Sequence, residues 1–308
     1  MIAFSFKQLL YFVATAEAGS TLRAAVTLHV SQPAVSVAIG QLEQAFGQKL
    51  FVRRHARGVD LTPFGRRKLA EVRHLLAHAN AVAGADENGV LTGDLEIGIF
   101  STLAAAYAPG LLRTFADAYP DVRVRMREDD LDQIRRDLEH GVIELALLYE
   151  LDTIGEMVRT PLATFSPYAL LPEAHRLAAS SKIRLAHLAD EPFVLIDLPH
   201  SRDYFLSLFR MAGVMPQKVI RCTSLETLRG IVANGLGVSL LVTRPYGDHA
   251  HDGKPIVCRP LAGRVLPQRA IIGSSPSAPM TRAAAAFVDV AKTYFAALPA
   301  RLAAAGYG

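Results

Sequence analysis

A chain of 308 residues, 51% of them hydrophobic, is long enough for two or three domains with real cores and too apolar for a disordered polymer. No apolar run reaches the ~18 residues that span a membrane. The start MIAFSFKQLLYF lacks the charged head and small-residue cleavage site of a leader, so a cytoplasmic protein without membrane contact is expected. The net charge of +4 is uneven: residues 1–90 carry 10 Lys+Arg against 6 Asp+Glu, leaving 23 of each sign in the rest.

In chain order, Lys7–Ala16 reads as a helix with Leu9, Leu10, Phe12 and Val13 as its apolar positions. Gly19-Ser20 breaks it, and Ser20 caps a second helix over Thr21–Leu28. A third helix starts at Ser31, a fitting N-cap, with Pro33 in the first turn, where a missing N–H costs nothing. Val35, Ile39, Leu42 and Phe46 fall at helical spacing on one side. Gly47 ends it. Helices two and three have the proportions of a helix-turn-helix. Gln32 and Ser36 lie one turn apart, opposite the buried stripe, where Gln can read adenine and Ser several bases. A plain three-helix domain with a solvated polar face fits the same pattern.

Two β-prone pieces follow, Leu50–Arg53 and Val59–Leu61, around a basic turn. Eight basic residues against two acids lie within Lys49–Arg73, which marks a surface for a polyanion. Arg53, Arg54 and Arg57 at the hairpin tip would reach a phosphate backbone or minor groove. Thr62-Pro63 begins a helix to about Ala83, with Phe64, Leu69, Val72, Leu76, Ala79 and Val82 along one side. That stripe is longer than a small domain buries alone, so a second copy is expected to cover it. Gly84–Gly93 is the linker.

From Asp94 the pattern becomes α/β. Strands are expected over Leu95–Phe100, Val122–Met126 and Ile143–Tyr149, separated by helices to Tyr119 and His140. After Pro161 the alternation restarts: strands Tyr168–Leu171 and Phe193–Ile196, a helix around Tyr204–Ala212, strand Val219–Arg221, a helix Leu225–Asn234, then strands Val238–Val242 and Gln268–Gly273 and a closing Ala-rich helix. Alternating elements imply open, largely parallel sheets, here in two lobes joined by crossovers near Pro161–Thr164 and Leu266–Gln268. Ligands bind such sheets at the carboxyl ends of strands. Ser101 and Thr102 start a helix there, and Thr223–Glu226 has the spacing of a capping box. Two helix N-termini with hydroxyls favour an anion such as a carboxylate. His200, Ser201 and Arg202 follow the Phe193–Ile196 strand, where Arg202 could grip a carboxylate bidentately. Phe100, Leu103 and Tyr149 would give the cleft an apolar wall. Each of these residues is also compatible with an ordinary cap or surface role.

The stretch LLYFVATAEAGSTLRAAVTLHVSQPAVSVAIGQLEQAFGQKLFVRRHARGVDLTPFG resembles the N-terminal domain of LysR-type transcriptional regulators. GDLEIGIF, FADAYPDVRVRM, LEHGVIELALLY and VANGLGVSLLV resemble that family's effector domain in the same order. The resemblance implies a winged helix-turn-helix over 5–62, a dimerising linker helix and hinge over 63–90, and a two-lobed, periplasmic-binding-protein-like (type II) effector domain over 91–308. Lobe one would span about 91–162 and 268–308, and lobe two 163–267. It further implies DNA contacts from Arg23, Ser31, Gln32, Pro33, Ser36, Val37, Gln41, Arg53, Arg54, Arg57 and Thr62. Effector contacts would come from Ser101, Thr102, Tyr149, His200, Ser201, Arg202, Thr223 and Ser224. The expected partners are a dyad DNA operator, a small carboxylate, further copies of the chain as dimer or tetramer, and RNA polymerase. Val37 and Ala38 stand where longer or basic residues are common in the family, and Gly40 replaces a longer polar residue. Direct base readout is therefore sparse, with more weight on the wing and on DNA shape. Glu144 stands for the family's common aspartate.

Two rival functions remain at this level. No nucleophile elbow, Walker loop or metal-ligand spacing points to an enzyme, and no cofactor or metal is expected. Cys222 and Cys258 are too few for a disulfide scaffold and read as ordinary reduced thiols. Some LysR-type regulators sense peroxide through a cysteine pair, so a redox sensor is the alternative.

Overall fold

The computed structural model describes residues 3–54, 58–83, 90–150, 156–244 and 247–299. Helix α1 (Phe6–Ala18) opens on a capping box: the Ser5 hydroxyl accepts from the Gln8 amide, and Gln8 Oε1 accepts from the Ser5 amide at 2.7 Å. Helices α2 (Thr21–Thr27) and α3 (Gln32–Phe46) are capped by Ser20 and Ser31, as their sequence suggests. Strand β1 (Phe51–Arg54) pairs antiparallel with β2 (Gly58–Leu61). Thr62 then caps α4 (Pro63–Ala83), its hydroxyl accepting from the Gly65 amide at 2.8 Å.

Helix α3 feeds two small cores. Leu42 joins Leu9, Phe12, Leu50, Leu69 and Val72, while Val35, Ala38 and Ile39 pack with Tyr11, Ala24 and Ala25. Each buried aliphatic chain contributes roughly 1.5–3 kcal/mol. The stripe on α4 is thereby largely covered within the chain. Leu69 and Val72 are buried, and Phe64 and Leu76 pack on the same cluster, so the first turns of the stripe are covered within the chain while Val82 at its far end is not. The apolar residues left outside are Leu75, 43% exposed, and Val82, 78% exposed.

Lobe one begins with β3 (Gly93–Phe100), then α5 (Ser101–Ala118), the edge strand β4 (Val122–Asp129), α6 (Leu131–Glu139), β5 (Leu145–Tyr149) and β6 (Val158–Phe165). Lobe two holds β7 (Tyr168–Pro172), α7 (Leu185–Ala189), β8 (Phe193–Ile196), α8 (Pro199–Met211), β9 (Val219–Cys222), α9 (Leu225–Ala233), β10 (Ser239–Leu241) and β11 (Ile256–Pro260). The chain then returns to lobe one as β12 (Gln268–Ser274), and α10 (Arg282–Ala296) packs on its sheet. The five-stranded sheet runs β4-β3-β5-β12-β6. Strand β3 is parallel to β4 and β5, and β12 is antiparallel to β5 and β6. Lobe two divides into the antiparallel β10-β7-β11 sheet and the parallel β8-β9 pair.

The sheets are therefore mixed rather than largely parallel. Sequence reading missed β6, β11 and α7. It took Pro161 as a break, but Pro161 lies in the edge strand β6 beside a register shift opposite Ala270/Ile271. Edges and bulges are where a strand tolerates a residue without an N–H. The first crossover accordingly lies at 166–167, after β6, not at Pro161–Thr164.

Candidate nucleic-acid interface and ligand cleft

The turn between α2 and α3 carries His29 at φ +54°. It presents α3 with Ser31, Gln32, Pro33, Val37 and Gln41 exposed and Ser36 half-buried, while Val35 and Ile39 face inward. Gln32 Nε2 donates to Ser36 Oγ at 2.8 Å and to Thr21 Oγ1 at 3.2 Å. The two expected base readers are thus brought together and held. Gln41 accepts from Gln8 Nε2 at 2.8 Å. Arg23 is exposed on α2. No heavy atom would lie within 4 Å of a Cβ added at Gly40, so the space of the longer family residue is open.

The wing is clamped against the first turn of the fold. The Val59 amide donates to the Gly19 carbonyl at 2.9 Å. Gly58 adopts φ +97°, and a Cβ there would stand 2.2 Å from that same carbonyl oxygen. Only glycine fits both conditions. Arg53 and Arg54 lie on β1, paired with Val59 and Gly58; Arg57 lies outside the described residues. The Thr62 hydroxyl is committed elsewhere: it donates to the Lys49 carbonyl at 2.7 Å while capping α4. Sequence reasoning gave no role to Glu43, although it is 9% exposed. It accepts from the Leu50 and Phe51 amides and pairs with Lys49 at 2.6 Å, tying the recognition helix to the wing.

Between the lobes, a cavity is lined by Thr102 and Tyr149 from lobe one, Ile196, Ser201, Phe205, Leu225 and Thr243 from lobe two, and Gln268 at the return crossover. It encloses only about 10 Å³, the limit for a single water. The cleft is therefore shut. Thr102 Oγ1 and the Tyr149 hydroxyl are buried without a completed hydrogen bond. Burial pushes the Tyr149 phenol well up, which the nearby Thr102 hydroxyl only partly offsets. The two hydroxyls have at best each other as partners, and a ligand that bonds them completes what the fold leaves short. Ser101 is half-buried at the α5 N-terminus.

Three expectations about the cleft change. Ser201 lines it, but Arg202 is occupied, pairing with Asp197 at 3.1 Å and Asp203 at 3.2 Å. His200 sits at the seam, its Nε2 3.4 Å from Asp132 Oδ1 on α6. The cap of α9 is Ser224, accepting from the Thr227 amide at 3.3 Å; Thr223 is exposed one residue earlier, so the expected capping box is absent. A side compartment of about 70 Å³ adjoins the cleft and includes Arg229, which sequence reasoning missed. Its only outward sign is an arginine at i+4 from an apolar helix start, a pattern shared with many surface helices.

The family model for bacterial regulatory helix-turn-helix proteins of the lysR family matches residues 6–66, and the model for the LysR substrate binding domain matches residues 88–296. The chain belongs to the LysR family of transcriptional regulators. It is 30% identical to the uncharacterized HTH-type transcriptional regulator YvbU of Bacillus subtilis, over 94% of this chain and 98% of that protein. It is 31% identical to a probable hydrogen peroxide-inducible genes activator of Mycobacterium avium, over 75% of each. Among solved structures it resembles HinK, a LysR family transcriptional regulator from Pseudomonas aeruginosa, with TM-score 0.64 and 37% identity over 94% of this chain and 98% of that one. The LysR-type architecture makes the chain a DNA-binding regulator with an effector-binding domain. Its thiols do not resemble activated ones: burial raises the pKa of Cys222, with Asp197 adding to the shift, and burial likewise raises that of Cys258. Thiolate character, which peroxide chemistry needs, is suppressed at both.

Proposed function

We propose that this regulator reads operator DNA through Gln32 and Ser36, with Arg23, Ser31, Pro33, Val37 and Gln41 around them and Arg53, Arg54 and Arg57 on the phosphates. A small organic anion, a carboxylate, bound between the lobes governs this binding. The observation that carries the effector reading is the narrow cavity with two buried hydroxyls, Thr102 and Tyr149, that have no partner beyond each other and share its lining with Ser201 of lobe two. Such a ligand shifts the protein toward whichever lobe arrangement it binds better, by no more than its differential affinity.

Lobe one touches the DNA-binding part directly. Arg73 on α4 pairs with Glu17 at 2.9 Å and donates to the His140 carbonyl at 3.0 Å. Gly141, at φ +62°, lies so close to α4 that a Cβ would be 3.1 Å from the Ala70 carbonyl oxygen. A change in lobe one therefore reaches the recognition helix through α4. The exposed Leu75 and Val82 on α4 are where a second copy would pack in a dimer or tetramer, setting two recognition helices on a dyad site; RNA polymerase is the further partner. The domain division is 5–62, 63–90 and 91–308. The protein acts in the cytoplasm and is not an enzyme.

The test is a thermal-shift screen of small organic acids, followed by gel shifts on the DNA flanking the gene. Thr102→Val and Ser201→Ala are expected to weaken the response to any acid found while leaving effector-free DNA binding intact. An unchanged response in both variants would place the effector elsewhere.

A further inference from the structure

Arg229 lies on α9 with 4% of its surface exposed. One of its terminal nitrogens, Nη2, donates to the His249 carbonyl at 2.8 Å. Its Nε stands 3.7 Å from Glu226 Oε2, beyond hydrogen-bond reach, and Glu226 itself is 55% exposed. Nε and Nη1 are both buried without a hydrogen bond. A guanidinium is never deprotonated in a protein, so this is a permanent charge with two unmet donors and one loose ion pair to Glu226, an arrangement that favours the arrival of an acceptor.

The space beside it is shaped for such an acceptor. The side compartment is lined by Thr102, Ala105 and Ala106 of α5 and by Leu225, Glu226, Arg229, Leu241 and Thr243 of lobe two, so Arg229 shares it with the one carboxylate it pairs with. At about 70 Å³ it has several times the ~10–15 Å³ that one water needs, room for one carboxylate. It shares Thr102, Leu225, Leu241 and Thr243 with the main cavity, whose remaining wall sets apolar Ile196, Phe205 and Val242 beside the neutral polar Tyr149, Ser201 and Gln268. None of the residues lining the main cavity is charged. The charges of Arg229 and Arg244 both bear on Tyr168 and Cys258, and that of Asp248 opposes them at Cys258.

We propose that Arg229 is the charge anchor for the effector: a monocarboxylate with a compact apolar body, its carboxylate accepting from an unmet donor of Arg229, Nε or Nη1, beside Thr102, and its body between Ile196, Phe205 and Leu241, where the cavity of about 10 Å³ widens as the lobes part to admit it. This rests on the reading that the effector binds between the lobes, and it gives Arg229 the role that sequence spacing gave Arg202. The exposed Glu226 carboxylate swings away as the ligand's carboxylate takes its place.

The test uses the full chain, ¹⁵N-labelled at arginine and ¹³C-labelled at isoleucine and leucine methyls, titrated with sodium benzoate and sodium acetate and, separately, with benzamide and acetamide. The Arg229 Nε resonance is identified by its loss in Arg229→Lys. Both carboxylates are expected to move that resonance and the amides to leave it in place. Arg229→Lys, which keeps the charge but loses the planar fork, is expected to weaken benzoate about 10- to 100-fold, the worth of a charge-assisted hydrogen bond. Carboxylates that move the Ile196 and Leu241 methyls but not Arg229 would overturn the anchor and leave the cleft reading standing. Amides moving Arg229 as strongly as the acids would overturn the anionic class. Carboxylates that move neither set at millimolar concentration would overturn the anchor and the cleft reading together.

Discussion

The recognition helix and the effector cleft are built on opposite plans. On α3 the proposed base readers lie on one face of a single helix, and their positions follow from the buried stripe beneath them. In the cleft, the proposed effector contacts come from the N-termini of α5, α8 and α9, the ends of β5, β8 and β10, and the return crossover. A surface that meets a long, regular polyanion can be laid out on one element. A pocket that must surround a small molecule is assembled from segments distant in sequence, and its polarity is decided by which groups are left unpaired once the lobes meet.

That contrast is broken or sharpened by variants that strike one region and spare the other. The largest effect is expected from Gly58→Val. It forces a side chain into the left-handed region, at about 1–2 kcal/mol, and drives a Cβ into the Gly19 carbonyl, so operator binding should be lost. Domain-resolved hydrogen exchange should show the effector lobes protected as before. Loss of protection in the lobes as well would mean that wing and cleft are one cooperative unit. Gln32→Ala is expected to cost about 1–3 kcal/mol on the preferred site and to relax base preference, because the residue's hydrogen bonds to Ser36 and Thr21 hold it ready for a base. Measured by competition gel shift over a randomised site, an unchanged preference would move the readout from α3 to the wing and to DNA shape.

Legibility followed the same division. The caps Ser20, Ser31 and Thr62, the extent of α3 and α4, and the order of most strands could be read because each depends on neighbours a few residues away. Thr102, Tyr149 and Ser201, expected at strand ends and helix starts, do line one cavity, since those are local features. The errors were long-range. Strand β6 is recognisable only once β12 is known to pair with it. Arg202 is the exception, since its partner Asp197 lies only five residues before it. The unmet donors of Arg229 depend on where the His249 carbonyl and the α5 helix come to rest, and no spacing within α9 encodes that. The stripe on α4 looked unpartnered because its partners, Leu9 and Phe12, lie more than fifty residues earlier.

The central claim is that the state of the cleft sets the state of the DNA-binding part. It can be tested without knowing the effector by wedging the cleft open with Thr102→Phe. A phenyl ring cannot enter a space of about 10 Å³ without separating the lobes, at a cost of about 1–3 kcal/mol that a folded domain withstands. The measurement is the DNase I footprint of this variant on the DNA that the wild-type protein protects, with small-angle scattering to verify that the lobes have parted. The account expects an altered footprint length or position in the absence of any ligand. A footprint and affinity identical to wild type, in a variant whose lobes are separated, would contradict it.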